Sequence, residues 1–104
     1  MKRVKRRYIA LQVDSHGAPT AKEFIDAVWG AVTKLYGEYG ASITGLTLIN
    51  YDAEKKTAVI RVALAAVDMV RASLASILSI ANGDAAVHVV AVSGTIKSLR
   101  EKLE

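Results

Sequence analysis

The chain lacks cysteine, has a single proline and contains few aromatic residues, 6% of its 104 positions. Without cysteine it cannot form a disulfide, a thiolate metal site or a cysteine nucleophile. The single proline and the 52% hydrophobic content exclude a disordered or low-complexity chain. The apolar stretch at residues 8–13 is interrupted by Gln12 and ends at Asp14, which is too short for a signal peptide or a membrane span. These absences predict one compact domain over residues 1–104, located in the cytoplasm and not in a membrane.

Positive charge is concentrated at the N-terminus. The formal net charge is +4, but five of the fourteen basic residues lie within the first seven positions, which leaves nine basic against ten acidic residues elsewhere. A cationic segment on a nearly neutral body is typical of a site that binds polyanions, either nucleic acid or an anionic membrane surface. The simpler alternative is a solvated tail. We predict a basic arm at residues 1–7 that binds a polyanion through Lys2, Arg3, Lys5, Arg6 and Arg7.

Runs of β-forming residues, bounded by turn residues, predict four strands. The first run is followed by a segment rich in turn formers. The middle two are joined by a polar five-residue link, which is typical of an antiparallel hairpin. The predicted strands cover residues 7–13, 42–51, 57–64 and 87–92.

Two segments between these strands have helical periodicity. Thr20 and Glu23 form a capping-box pattern that opens a long helix ending near Gly40. The second helix begins near residue 67, and the Asn-Gly pair at 82–83 supplies a stop signal. Both helices have an apolar face that is expected to pack into the core. In the first it comprises Phe24, Val28, Val32, Leu35 and Tyr39, widened by Trp29 and Tyr36, and in the second Val67, Val70, Leu74, Ile77 and Leu78.

The order β-α-β-β-α-β, followed by a short amphipathic helix at 95–103, predicts an α+β domain. The arrangement expected is the ferredoxin-like, split βαβ one, a four-stranded antiparallel sheet with two helices on one face and a short C-terminal helix. The strands are apolar on both sides, so the second face of the sheet also needs cover. We expect the closing helix to provide part of it and a partner protein the remainder.

Catalytic groups are sparse in this sequence. His16 falls in a loop and His88 in the fourth strand, and neither has a second ligand at metal-site spacing. The acidic residues are scattered without an acid–base pair, and no glycine-rich nucleotide motif is present. The third strand also lacks the aromatic residues with which an RNA recognition motif stacks bases. We therefore predict no catalytic residues, no metal site and no cofactor.

Two further features are candidate phosphate contacts. Arg61 interrupts an apolar strand, where its guanidinium needs a phosphate, a carbonyl or an internal carboxylate. Ser93, Thr95 and Lys97 surround the start of the closing helix, where hydroxyls, backbone N–H groups and an ammonium can hold a phosphate. An internal salt bridge for Arg61 and an ordinary helix cap for Thr95 remain the alternatives.

Three segments together resemble the archaeal ribonuclease P protein component 2 family, whose eukaryotic relatives are subunits of nuclear ribonuclease P and the MRP ribonucleoprotein. They are RRYIALQV, LINYDAEKKTAVIRVAL and VVAVSGTIKSL, and the likeness covers nearly the whole chain. The positions that match the family pattern are Arg6, Arg7 and Tyr8, then Arg61, then Ser93, Gly94 and Thr95.

The resemblance implies a non-catalytic subunit that helps a catalytic RNA to remove the 5′ leader from precursor tRNA. The RNA would perform the hydrolysis with its own bound magnesium ions. The expected partners are ribonuclease P RNA, precursor tRNA indirectly, and ribonuclease P protein component 3. An alternative from another class is a ferredoxin-like regulatory or oligomerisation module that binds a small molecule, although such a module does not explain the basic arm. A small hydrolase of the acylphosphatase type is disfavoured because the loop after the first strand has no arginine.

Overall fold

The structure is a computed structural model that describes residues 5–103. Lys2 and Arg3 of the predicted basic arm lie outside these residues. The described part forms five strands and three α-helices, and none of these helices has the length and hydropathy needed to cross a lipid bilayer. The elements are β1 (Arg6–Ser15), α1 (Ala21–Ser42), β2 (Thr47–Asp52), β3 (Thr57–Ala63), α2 (Val67–Ala75), β4 (Ser79–Ile80), β5 (Gly83–Ser93) and α3 (Ile96–Leu103), with a 3-10 turn at Leu64–Ala66.

The strands form one antiparallel sheet in the order β2-β3-β1-β5-β4. β1 lies at the centre, with β3 along one edge and β5 along the other. The prediction of an α+β domain is confirmed, but the prediction of four strands is wrong by one. The additional strand, β4, has two residues that pair with the start of β5. Two residues are too few to leave an alternating pattern in the sequence.

One face of the sheet is buried beneath α1 and α2. Alternate residues of β1, beginning with Ile9 and Leu11, turn to this face, and Ile9 stands opposite Ile60 of β3. Burial of this apolar surface is the main stabilising contribution of the core. The two helices contribute Phe24, Val28 and Val32 from α1 and Val70 and Leu74 from α2, all of them buried.

The opposite face is covered in part by α3. Ala10 of β1 turns to this side and is nevertheless buried. α3 packs against β1 and β5, and its Leu99 is only 1% exposed. The closing helix therefore seals the central strand from the second side, as the two-sided hydrophobicity of the strands predicted. The β2 and β3 half of this face is left with a groove beside α3.

The apolar stripe of α1 is only half buried, which corrects the prediction. Phe24, Val28 and Val32 lie in the core, but Leu35, Tyr36 and Tyr39 are exposed. α1 is 22 residues long and α2 only nine, so α1 extends past the helix that packs against it. The backbone also leaves helical geometry at Gly37, with φ 76° and ψ 175°. The last turns of α1 thus present their apolar side chains at the surface.

Two turns also differ from the prediction. The second strand was expected from residue 42 but begins at Thr47, because the preceding residues end α1 and turn at Gly45, where φ is +62°. The sequence also predicts a helix stop at the Asn-Gly pair 82–83, which is wrong. Instead, Ala81 and Asn82 both have positive φ, at 52° and 68°, and form the two-residue hairpin turn between β4 and β5. Since α2 ends at Ala75, Leu78 is outside it and 80% exposed rather than in the core.

The predicted capping box at the start of α1 is present. The backbone N–H of Glu23 donates to the Thr20 hydroxyl, and the Glu23 carboxylate accepts from the Thr20 N–H. The nearby loop is fixed from β2, since the Tyr51 hydroxyl donates to the Pro19 carbonyl while its ring stacks on Phe24. Burial, reinforced by the negative charge of Glu23, raises the pKa of Tyr51.

The two leucines of α3 provide a test of whether this helix covers the second face of β1. Leu99→Ala removes a buried side chain and should lower the free energy of unfolding by about 2–5 kcal/mol. Leu103→Ala, at a position 48% exposed in the same helix, should change it by less than about 0.5 kcal/mol. Chemical denaturation of both variants measures the difference. Equal stabilities would contradict the assignment of α3 as the cover of β1.

Candidate nucleic-acid interface

The predicted cations within the described residues gather at one end of the sheet, which we call the basic end. β1 begins there, and because the pairing is antiparallel, β3 and β5 finish there and α3 starts there. The backbone N–H of Leu64 donates to the carbonyl of Lys5 at 2.8 Å, which joins the start of β1 to the end of β3. The cations that the topology brings to this end are Lys5, Arg6, Arg7, Arg61 and Lys97.

Acidic residues mark the opposite end of the sheet. Asp14 lies near the end of β1, Asp52 at the end of β2 and Asp84 near the start of β5. Lys56 lies at this end as well, where its ammonium donates to the carbonyl of Ser15. The ten residues of β1 separate the two ends by about 30 Å. Positive charge therefore exceeds negative charge at the basic end, even with Asp68 in the first turn of α2 there, and this excess orients a polyanion toward that end.

Arg61 occupies a defined place in the sheet. It stands directly opposite Tyr8 of β1 on one side and Thr47 of β2 on the other. Tyr8 is in turn opposite Ser93 of β5. Directly opposed residues turn to the same face, so these four side chains form one row across the face that α3 partly covers.

The internal salt bridge considered for Arg61 is not found. Within residues 5–103 the one ion pair is between Lys22 and Asp26, an exposed pair on α1. The Arg61 Nε is buried and makes no hydrogen bond to any residue that the structure describes. A buried N–H without an acceptor is costly. The described residues thus leave the Nε of this partly exposed side chain without an acceptor.

Arg7 turns to the other face from Arg61. It stands opposite Val62, one residue beyond Arg61 on β3. Its guanidinium donates to the carbonyl of Arg6 at 2.9 Å and lies over Gly94, with Nη1 3.5 Å from the point that a Cβ there would occupy. The cations of the basic end therefore lie on both faces of the sheet.

The three residues at the start of α3 have different surroundings. Ser93 is only 7% exposed, so it offers little surface to a ligand. Thr95 is a helix cap, as the alternative proposed, because its hydroxyl accepts the N–H of Ser98 at 3.1 Å. Lys97 is exposed in the first turn of α3. The first N–H groups of this helix have no helical carbonyl to bind and remain suited to an anion.

Sequence reasoning missed two cations of α3. Arg100 lies one turn after Lys97 and lines the groove between α3 and the sheet. Lys102 donates from its ammonium to the carbonyl of Val92 at 2.7 Å. The spacing of Lys97 and Arg100, three residues apart in a helix, places both on one side and was a usable signal.

The remaining polar groups form no comparable site. His16 lies in a cavity of about 340 Å³ between the loop after β1 and the β4–β5 hairpin, at the acidic end. In residues 5–103 no three His, Asp or Glu side chains are placed to hold a metal ion.

Comparisons with known proteins identify the family of this domain. The model of the Rpp14/Pop5 family matches residues 7–104. Ribonuclease P protein component 2 of Pyrococcus furiosus is 36% identical over 100 residues, which cover 96% of this chain and 83% of that protein. The proteins of the same name from Pyrococcus horikoshii and Methanobrevibacter smithii are 32% and 29% identical, over 96% and 98% of this chain and 83% and 91% of their own lengths.

The fold also has a known counterpart. A chain in a cryo-EM structure of yeast ribonuclease MRP superposes with a TM-score of 0.75 over 99% of this chain and 94% of that one, at 17% identity. That likeness extends through α3, so the closing helix is part of the shared fold. The resemblance expected from the three sequence segments is confirmed: the chain belongs to the Rpp14/Pop5 family.

Proposed function

We propose that this chain is a protein subunit of ribonuclease P that binds and supports the catalytic RNA during removal of the 5′ leader from precursor tRNA. The observation that carries the proposal is the basic end, where cations distant in sequence converge while acidic residues mark the other end. The names of the archaeal relatives, ribonuclease P protein component 2, support it. The cytoplasm is the location that goes with this role.

In this proposal the protein supplies binding and the RNA supplies chemistry. Phosphate contacts hold and orient an RNA without reading its sequence. The proposed contacts are the predicted residues Lys2, Arg3, Lys5, Arg6, Arg7, Arg61, Thr95 and Lys97, and the nearly buried Ser93 is not among them. Magnesium would be bound by the catalytic RNA and not by this chain.

Reconstitution tests this role. Ribonuclease P RNA and component 3 are assayed on precursor tRNA with and without this chain, at a magnesium concentration too low for the RNA alone. We expect 5′ cleavage to increase when the chain is added, and no cleavage by the chain without RNA, because it is proposed to contribute no catalytic group. Cleavage by RNA-free protein, or no effect on the RNA enzyme, would refute the proposal.

Paired charge variants test the basic end. Lys5→Gln with Arg6→Gln should lower the slope of log affinity for ribonuclease P RNA against log salt by about 1.5, since each lost phosphate contact is worth roughly 0.7–0.9. Lys22→Gln with Lys55→Gln removes the same charge from exposed positions at the acidic end and should leave the slope nearly unchanged. The measurement is binding over a series of salt concentrations. The basic end would lose its role if the two double variants had equal slopes.

The exposed end of α1 is the surface that we assign to component 3. Leu35, Tyr36, Tyr39 and Ile43 are all at least 40% exposed and lie within nine residues at the end of α1, on both sides of the break at Gly37. Solvent-exposed apolar clusters of this kind mark protein interaction sites, and tyrosine is enriched among the residues that dominate binding. In the absence of component 3, this surface is free for self-association.

A double variant at the end of α1 and a control variant elsewhere test this assignment. Tyr39→Ser with Ile43→Ser should weaken binding to component 3 at least about 10-fold, because it removes the centre of the apolar cluster. Leu78→Ser is the control, since Leu78 is 80% exposed, as Tyr39 is, but lies at the acidic end. Titration calorimetry with component 3 compares them. Unchanged affinity in the double variant, or equal loss in the control, would place the contact elsewhere.

The order of the four longer strands, β2-β3-β1-β5, supports the proposal that the domain is a variant of the ferredoxin-like, split βαβ fold. In this description β4 is an added edge hairpin and α3 an added cover for the second face. We likewise propose that residues 1–104 form a single RNA-binding domain with the basic arm at 1–7.

A further inference from the structure

A groove of about 250 Å³ lies between α3 and the β2–β3 half of the sheet, on the face that α3 leaves partly open. Its sheet side is formed by Ile49 and Val59, and its helix side by Ile96 and Leu103. These walls are aliphatic. A small ligand with an apolar surface suits a groove of this volume and lining.

Two polar side chains complete the groove, Asn50 from β2 and Arg100 from α3. An asparagine amide both donates and accepts hydrogen bonds, as the edge of a nucleobase requires. An arginine can bind a phosphate or stack on a base. This composition, apolar walls with few polar groups, is typical of small-molecule and base pockets.

Arg61 lies next to this groove. It is two residues from Val59 on β3 and therefore on the same face, about 7 Å further along the strand. That distance is on the scale of the separation between a base and its own phosphate. The buried Arg61 Nε has no acceptor among the described residues, which favours an anion as the neighbour of the groove's occupant.

We propose that this groove holds one unpaired nucleobase of RNA, inserted between β3 and α3, with the adjoining phosphate at Arg61 and Arg100. The inference rests on the proposed function and adds a second kind of contact to it. A base paired within a duplex cannot enter, because its faces are already stacked on neighbours. The groove therefore selects single-stranded or bulged RNA, whereas the cations alone select only charge.

Charge favours a nucleotide over a side chain of a partner protein. An aliphatic side chain in the groove would offer no hydrogen-bond partner to the Asn50 amide or to the buried Arg61 Nε. A nucleotide satisfies both, since its base edge pairs with the amide and its phosphate with the guanidiniums.

Neutral variants separate a base contact from a phosphate contact. Asn50→Ala combined with Leu103→Ala removes no charge, and both positions are exposed enough to preserve the fold. The probes are a 12-nucleotide single-stranded RNA and a 12-base-pair RNA duplex, measured over a salt series. We expect about 10-fold weaker binding to the single strand, less than 2-fold change for the duplex, and an unchanged salt slope. Leu78→Ala is the neutral control, and Arg100→Gln should lower the slope by about 0.7.

The outcomes distinguish this inference from the proposed function. If the unaltered protein binds neither RNA at low salt, the proposed function fails and the groove assignment with it. If it binds RNA and the double charge variant lowers the salt slope, but the groove variant matches Leu78→Ala on the single strand, only the groove assignment is overturned. Weakened component 3 binding with unchanged RNA binding in the groove variant would overturn it too, by making the groove a protein contact. Selective loss of single-stranded binding supports it.

Discussion

The structure depends on the burial of both faces of its central strand. β1 is hydrogen-bonded along both edges to β3 and β5. Its middle residues are apolar on both faces, so both faces must be covered. Ile9 and Leu11 require one apolar layer and Ala10 another. A two-layer domain with helices on one side satisfies only the first requirement. α3 exists to meet the second, and the position of Leu99 over the strand shows how completely it does so at the centre.

This constraint also creates the basic end. To reach the second face, the chain must leave β5 where that strand finishes and turn into α3 at once. The turn therefore sits beside the first residues of β1, because β1 and β5 are antiparallel. Lys97 and Arg7 come to one end of the molecule for a reason of packing, and the same geometry places Arg61 there from β3. Concentrated charge follows from a fold that was already needed to bury the core.

The elements could largely be predicted from the sequence because each leaves a local signal. The capping box at Thr20 and the cap at Thr95 depend on hydrogen bonds within one turn, and both are found where the pattern indicated. Burial is different, since it depends on what another element supplies. Periodicity predicted Tyr39 on the core face of α1, which is wrong, because the backbone leaves helical geometry at Gly37 and the short α2 does not extend far enough to cover the last turns.

The candidate site likewise combines features that a local sequence pattern reveals with features that depend on how distant elements pack. Its cations were predictable as residue types, but their grouping required the strand order, which no local pattern specifies. The assignment of residues 82–83 as a helix stop failed because an Asn-Gly pair suits a helix end and a tight hairpin equally well. Only the pairing of β4 with β5 decides between them. The groove beside α3 was beyond sequence reasoning, because it consists of space between elements that are distant along the chain.

Arg61 shows why the two kinds of contact belong together. A guanidinium in a strand between apolar neighbours loses hydration, and the described residues return no acceptor for its Nε. An unpartnered buried N–H is unfavourable in the free domain, and in the proposed complex a phosphate would supply the acceptor. A phosphate contact with an exposed lysine adds affinity mainly through counterion release, because water already solvates that ammonium. In the proposed complex a phosphate at Arg61 would replace a missing partner, and the gain would be larger for an RNA whose unpaired base also filled the adjacent groove. Under this proposal, charge at the basic end would recruit any RNA, and the partly buried arginine would favour the one with an accessible base.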